Sequence, residues 1–180
     1  MAVSLAKSQA APRRVTILGS TGSVGCNTID LIERSPGAYL VEAITAGGNV
    51  ALLAKQALRL RPRFVALANP DGYAALKSAL SGTGMEIAAG PDAVIAAAER
   101  PSDWVMAAIV GAAGLAPTLA AIRRGAIIAF ANKECLVCAG PLVMHEIARA
   151  GRPCCPSIPS TTPFSRCSTS TAGMRSRNWS

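Results

Sequence analysis

Arg13 to Ile32 reads RRVTILGSTGSVGCNTIDLI, and the order of residue types in this stretch decides the fold. RRVTIL is a short, β-rich apolar run, the form taken by a strand buried on both faces of a parallel sheet. It stops at Gly19, and from Ser23 to Arg34 the apolar residues Val24, Ile29, Leu31 and Ile32 follow a helical stripe that ends before Pro36. Between strand and helix lies GSTGSVG, Gly19 to Gly25. Glycines let a backbone turn sharply and approach a pyrophosphate, while the amides and positive end of the following helix offset its charge. A Gly-x-x-Gly-x-x-Gly string alone also suits a structural tight turn. Its position, at the end of the first strand and the start of the first helix, is the one a dinucleotide fingerprint requires.

The alternation continues along the chain. YLVEAITAG, RFVALAN, MEIAAG, DWVMAAIVG and AIIAFAN read as strands. NVALLAKQALRL, DGYAALKSAL, PDAVIAAAER, LAPTLAAIRRG and KECLVCAGPLVMHEIARAG read as helices, the last interrupted near Gly140–Pro141. Such a pattern predicts right-handed βαβ units and an α/β, Rossmann-type, doubly wound and mostly parallel sheet over residues 13–151, after a loose stretch at 1–12. Ligands of such sheets bind beyond the carboxyl ends of the strands. The apolar run from Val105 to Ile122 approaches the ~18 residues of a membrane span. Its two Gly and its Pro favour a buried strand, a turn and a helix start instead, and no membrane partner is expected.

Composition adds boundaries. The formal charge is +8, but residues 1–150 hold 14 Lys or Arg against all 10 acids, and the last thirty residues add Arg152, Arg166, Arg175 and Arg177 with no acid. Half the excess therefore sits in one odd segment, and with two Trp, two Tyr and three Phe in the whole chain no nucleic-acid-binding face is expected. The six Cys, without a basic and long apolar leader, suit a reduced, cytoplasmic setting. Cys135-x-x-Cys138 has the spacing of a redox or metal pair, yet His145 is the only His and no second pair stands at zinc-site spacing. Ordinary, partly buried thiols are the plainer reading.

Two further strand ends carry polar residues. The second strand closes in TAGGN, Thr45 to Asn49, with no Asp or Glu to bind a ribose 2'-hydroxyl. An acid there would repel a 2'-phosphate, so NADP is favoured over NAD, with backbone and amide donors from Gly47, Gly48 and Asn49. A simple helix cap at Asn49 is compatible with that role. The sixth strand closes in ANKE, where Lys133 between Asn132 and Glu134 suits either a polar or phosphorylated substrate or a solvated helix start.

With GSTGSVGCNTIDLI, MAAIVGAAGLAPTLAAI and ANKE in this order and separation, residues 13–150 resemble the 1-deoxy-D-xylulose 5-phosphate reductoisomerase family. The resemblance implies an N-terminal NADPH-binding domain, followed in the family by a catalytic domain holding a divalent metal (Mg or Mn) and a C-terminal helical domain, in a homodimer by family habit. It implies the rearrangement and NADPH-dependent reduction of 1-deoxy-D-xylulose 5-phosphate to 2-C-methyl-D-erythritol 4-phosphate, in non-mevalonate isoprenoid biosynthesis. Matched motif by motif, Thr21, Gly22, Ser23 and Val24 would hold the cofactor's phosphates. Gly47, Gly48 and Asn49 would lie by its adenosine phosphate, Asn132 and Glu134 near its nicotinamide end, and Lys133 on the sugar phosphate. Gly48 departs from the Lys or Arg often found there, which lowers the expected grip on a 2'-phosphate.

The tail departs from the family altogether. Where relatives continue with a strand and the metal motif PVDSEHN, residues 152–180 carry 7 Ser, 4 Thr and 4 Pro with little periodicity, a composition that predicts disorder. A change of reading frame would explain the break. If one base is restored after the codon of Gly151, an allowed codon choice for GRPCCPSIPSTTPFSRCS reads GATVLPVDSEHNAIFQVL. On this expectation the metal ligands are missing and the chain alone has no turnover, since carboxylates hold such hard cations. The alternative is a non-catalytic NADP-binding or sensing protein whose basic tail contacts a partner.

Overall fold

The structure, a computed structural model, describes residues 11–131, 134–151 and 154–156, with the backbone alone for 134–136, 138 and 154–156. Six of its strands are those expected: β1 (Arg13–Leu18), β2 (Tyr39–Ala46), β3 (Phe64–Leu67), β4 (Glu86–Ala89), β5 (Trp104–Ala107) and β6 (Ile127–Phe130). Each is an apolar run, and β3 and β5 are buried at every position, as strands covered on both faces must be. The helices are α1 (Ser23–Glu33), α2 (Val50–Leu60), α3 (Tyr73–Ala79), α4 (Pro91–Glu99), α5 (Leu115–Arg123) and α6 (Glu134–Ala150).

All strands pair in parallel in the order β4-β3-β2-β1-β5-β6-β7, where β7 is Cys154–Pro156. The chain lays strands outward from β1 to β4, then returns to place β5 on the other side of β1. That reversal creates a crevice between the loops leaving β1 and β5. Strand side chains alternate between two cores. Val15, Ile17, Trp104 and Met106 pack with Ile29, Leu53, Ala57 and Leu76 from α1, α2 and α3. Leu18, Val105, Ala107 and Ile128 pack with Ala97, Leu119, Ile122 and Val143 from α4, α5 and α6. Among the described residues no helix is long and apolar enough to cross a membrane, and Val105–Ile122 is strand, turn and helix as expected.

Three expectations are corrected. Of the α1 stripe, Ile29 and Ile32 are buried, while Val24 and Leu31 are 39% and 48% exposed; Gly25 and Thr28 take the inward positions instead. DGYAALKSAL divides into a 3-10 turn at Pro70–Gly72 and α3, because Asn69 Oδ1 accepts from the Asp71 amide and starts the turn early. The break in α6 comes where it was expected, beside the Gly140–Pro141 pair, at Ala139 (φ −137°, ψ 26°), since a proline inside a helix disrupts the turn before it. Lastly, residues 154–156 of the tail expected to be disordered form β7, in register Ile128↔Cys154, Ala129↔Cys155 and Phe130↔Pro156. Without β7 the backbone groups on that side of β6 would be a bare edge, and edge pairing asks little of side-chain identity. The remainder of 152–180, like residues 1–10, lies outside the described residues.

Candidate functional site

Strand register sets the level of every loop on the carboxyl rim. Leu18 pairs with Ala107, Ala107 with Phe130, and Ala46 with Leu67, so the loops after β1, β2, β5 and β6 leave the sheet at one height. The Ala131 amide donates to Ala107 O (3.1 Å), carrying the β5–β6 ladder to the rim. The cleft of about 480 Å³ among Arg14, Glu33, Tyr39, Arg59, Arg61 and Arg63 lies at the opposite, amino ends of the strands. Ligand chemistry in such sheets belongs to the carboxyl rim.

The loop after β1 is the tightest part of that rim. Gly19 has φ +83°, and a Cβ there would lie 2.8 Å from Ala108 O, so only glycine lets the two loops of the crevice abut. Gly25, one turn into α1, faces the loop so closely that a Cβ would fall 2.6 Å from Ser20 Cα and nearer still to Gly19 O. The helix consequently begins directly against the loop. Gly22 precedes α1 without a capping side chain, and no acid occupies the first turn. The first amides of a helix have no intrahelical acceptor, and the helix dipole adds partial positive charge at that end. Thr21 is half-buried, and Gly22, Ser23 and Val24 are exposed. This arc of amides suits a phosphate.

Buried polar contacts hold the arc in place. Thr45, at the end of β2, accepts the Gly19 amide on Oγ1 (3.0 Å) and the Ser20 amide on its carbonyl (2.7 Å). The Ser20 hydroxyl donates to Gln56 Oε1 (2.8 Å), and Gln56 Nε2 donates to Ser20 O (3.0 Å). Cys26, a free and half-buried thiol, lies 3.6 Å from Ser20 O and 3.7 Å from Gln56 Nε2. Sequence reasoning missed Thr45 and Gln56 as loop supports. The sequence held one signal for Gln56: Leu53, Gln56, Ala57 and Leu60 have inward helical spacing, so an amide was to be expected on a buried face.

The loop after β2 is open by contrast. Gly47, Gly48 and Asn49 are exposed, and a Cβ at Gly47 or Gly48 would meet nothing within 4 Å. Asn49 Oδ1 accepts the Leu52 amide (3.1 Å), confirming the helix cap and leaving its NH2 as a donor. No acid stands in the loop, as read from TAGGN. At the β6 end, Asn132 and Lys133 lie outside the described residues, and Glu134 opens α6 with only its backbone described. Ala131, the residue that opens ANKE, is on the rim through its bond to Ala107. Sheet order thus brings GSTG, the GGN loop and Ala131 to one edge.

The family model described as 1-deoxy-D-xylulose 5-phosphate reductoisomerase matches residues 15–140. The chain belongs to that family. The 1-deoxy-D-xylulose 5-phosphate reductoisomerase of Rhodospirillum centenum is 66% identical over 139 residues, which are 77% of this chain and 35% of the relative. That of Rhodopseudomonas palustris strain BisB18 is 58% identical over 139 residues, 77% of this chain and 34% of the relative. Among solved structures, the Zymomonas mobilis reductoisomerase in complex with NADPH superposes with a TM-score of 0.77 at 50% identity, covering 78% of this chain and 37% of that one. A reductoisomerase in complex with NADPH, fosmidomycin and magnesium gives 0.74 at 38% identity, over 78% and 35%. This reductoisomerase-family chain spans about 35% of the length of the curated relatives it matches. Among its described residues no three His, Cys, Asp or Glu gather where they could hold a metal ion.

Proposed function

We propose that this chain is the NADPH-binding part of a 1-deoxy-D-xylulose 5-phosphate reductoisomerase and supplies the dinucleotide platform for the reduction that yields 2-C-methyl-D-erythritol 4-phosphate. The observation that carries the proposal is the β1–α1 loop: a glycine-closed arc of helix-start amides at the topological switch point, with no competing acid. Two of the related structures are complexes with NADPH, which supports the choice of cofactor.

In this reading Thr21, Gly22, Ser23 and Val24 bind the pyrophosphate. Gly47, Gly48 and Asn49 receive the 2'-phosphate with backbone and amide donors and no repelling carboxylate. Asn132 and Glu134 flank the nicotinamide end, and Lys133 meets the sugar phosphate substrate. Val110, 81% exposed on the rim beyond β5, offers apolar surface between the two ends of the cofactor. When bound, NADPH supplies a hydride; the residues of this chain orient it and hold its charge. Among the described residues no donor set suits the divalent metal of the family, whose place is the catalytic domain that the resemblance implies. We read the tail beyond Gly151 as a frame-changed replacement for the family's metal-binding segment, and the chain alone as binding cofactor without turnover. The cytoplasm, and a homodimer for the full-length enzyme, are part of the same reading.

The test is calorimetric titration of the 180-residue chain with NADPH and with NADH, beside a turnover assay with 1-deoxy-D-xylulose 5-phosphate and Mg or Mn. NADPH binding that exceeds NADH binding, with no turnover, is the expected result. Absence of NADPH binding would overturn the cofactor reading, and turnover would overturn the reading of the tail. Sequencing the gene across the Gly151 codon tests the frame directly.

A further inference from the structure

We propose that Gln56 is the positioning residue of the phosphate-binding loop, clasping Ser20 by both ends of its amide and tying the loop to the helix that carries the adenosine subsite. The inference rests on the NADPH reading and goes beyond it by assigning a role to a residue that touches no ligand.

Gln56 is 3% exposed and Ser20 is fully buried. The clasp uses both functions of each side: hydroxyl to Oε1 at 2.8 Å and Nε2 to carbonyl at 3.0 Å. The reversed amide would set oxygen against the Ser20 carbonyl, so the hydrogen-bond pattern itself selects the orientation. With its amide taken by Thr45 O (2.7 Å), Ser20 has every polar group engaged within the protein. Ser20 is therefore the anchor of the loop; of the amides that follow it, that of Gly22 donates to Gly19 O (3.2 Å), and those at the start of α1 face the rim where a phosphate would sit.

The residue that clasps this anchor, Gln56, lies on α2. That helix starts at Val50 with Asn49 as its cap, and Gln56 sits on its buried face two turns later. One rigid helix thus carries both the rim of the adenosine end and the clasp on the pyrophosphate loop. A helix that merely packs against the sheet could do so with Leu53, Ala54 and Ala57, which are buried beside Gln56. A hydrogen-bonded amide is needed only where it must fix a neighbouring backbone, because an unmet amide in that position costs more than an apolar side chain.

The test uses the 180-residue chain with Gln56→Met, which keeps the length but loses the hydrogen bonds, and with Gln56→Glu. Two probes separate the subsites: NADPH, which needs the loop, and adenosine 2'-monophosphate, which lacks the pyrophosphate and reads the β2 end alone. Gln56→Met is expected to weaken NADPH about tenfold while adenosine 2'-monophosphate changes less than about twofold. In the Gln56→Glu variant a protonated carboxyl can make both bonds, whereas the carboxylate cannot donate and adds negative charge behind the loop. Relative to wild type at each pH, Gln56→Glu should therefore bind NADPH nearly normally at low pH and progressively worse as pH rises. Should the Met variant fail to fold, the pH series of the Gln56→Glu variant decides alone. Wild-type NADPH affinity in the folded variants, or equal loss of both probes, overturns the proposal while leaving the cofactor reading intact. Failure of the wild-type chain to bind NADPH overturns the reading and the proposal together.

Discussion

The loops after β1 and β2 leave the same rim of the same sheet, and both are glycine-rich, but they are built to opposite rules. In the first, Gly19 and Gly25 stand where any Cβ would strike backbone, and Ser20 is clasped from two sides. In the second, Gly47 and Gly48 border open space, and only Asn49 has a fixed side-chain contact. The difference matches what each loop would bind on the proposed reading. A pyrophosphate has to be met by backbone amides at short range, which requires a fixed backbone; a 2'-phosphate on the periphery can be met by whatever donors reach it. Gly19 and Gly25 of the first loop should therefore tolerate no added side chain, and the second loop should be improvable.

The largest effect is expected from Gly25→Ala. The added methyl meets the backbone of Gly19 and Ser20, which cannot swing away as a side chain would, so α1 must retreat from the loop. Loss of measurable NADPH binding is expected, with destabilisation of about 3 kcal/mol or more by chemical denaturation. Gly19→Ala should follow closely. It combines a left-handed backbone at φ +83° with the approach to Ala108 O, for about 2–4 kcal/mol and at least a roughly tenfold loss of NADPH affinity. Near-normal NADPH binding by either variant would break the contrast at its tight end.

Gly48→Lys tests the open end. Nothing within 4 Å opposes a side chain, and a cation there would face the 2'-phosphate without any acid in the loop to neutralise it. An affinity gain for NADPH of about three- to tenfold is expected at low salt, shrinking as salt is raised, with NADH unchanged. Equal gains for both cofactors would mean that the 2'-phosphate does not sit at this loop.

These two loops also mark how far the sequence could be read. Six strands and their order of alternation were legible because a parallel sheet needs continuous apolar runs, and GSTGSVG announced the tight turn by composition. What was not legible depends on contacts distant in sequence. Ser20 and Gln56 are 36 residues apart, and only the fold brings them together. The outward turn of Val24 and Leu31 has the same origin: Gly25 lets α1 press close to the loop, so Gly25 and Thr28 turn inward beside Ile29 and Ile32. β7 escaped notice because its pairing to β6 is a property of backbone groups, which no side-chain pattern reports. At the candidate site the tight turn itself was legible, and the supports behind it, Thr45 and Gln56, were missed.

On the far side of the sheet a charged cluster is added to the apolar packing of α5 and α6. Glu146 in α6 is buried and accepts from Arg123 of α5 (3.2 Å), with Arg149 one turn on (3.6 Å). The Arg123 hydrogen bond is the chief cause that holds the Glu146 carboxyl below its ordinary value; burial opposes it, and the charges of Arg123, Arg149 and His145 add to the lowering. A carboxylate favoured in the folded state stabilises the protein above its unfolded pKa, about 4.3, and that contribution disappears as pH falls through the folded value. Glu146→Gln should therefore lower the melting temperature by a few degrees at neutral pH, and the gap to wild type should close below about pH 4. Added salt should narrow it as well, since Arg123 and Arg149 are largely exposed. α6 packs with α5 on the opposite face from α1 and α2, so NADPH affinity is expected to change less than about twofold. If the variant instead weakened NADPH as strongly as Gly19→Ala, the cofactor grip would be a property of the whole sheet, and the division of labour between a fixed first loop and an open second one would lose its basis.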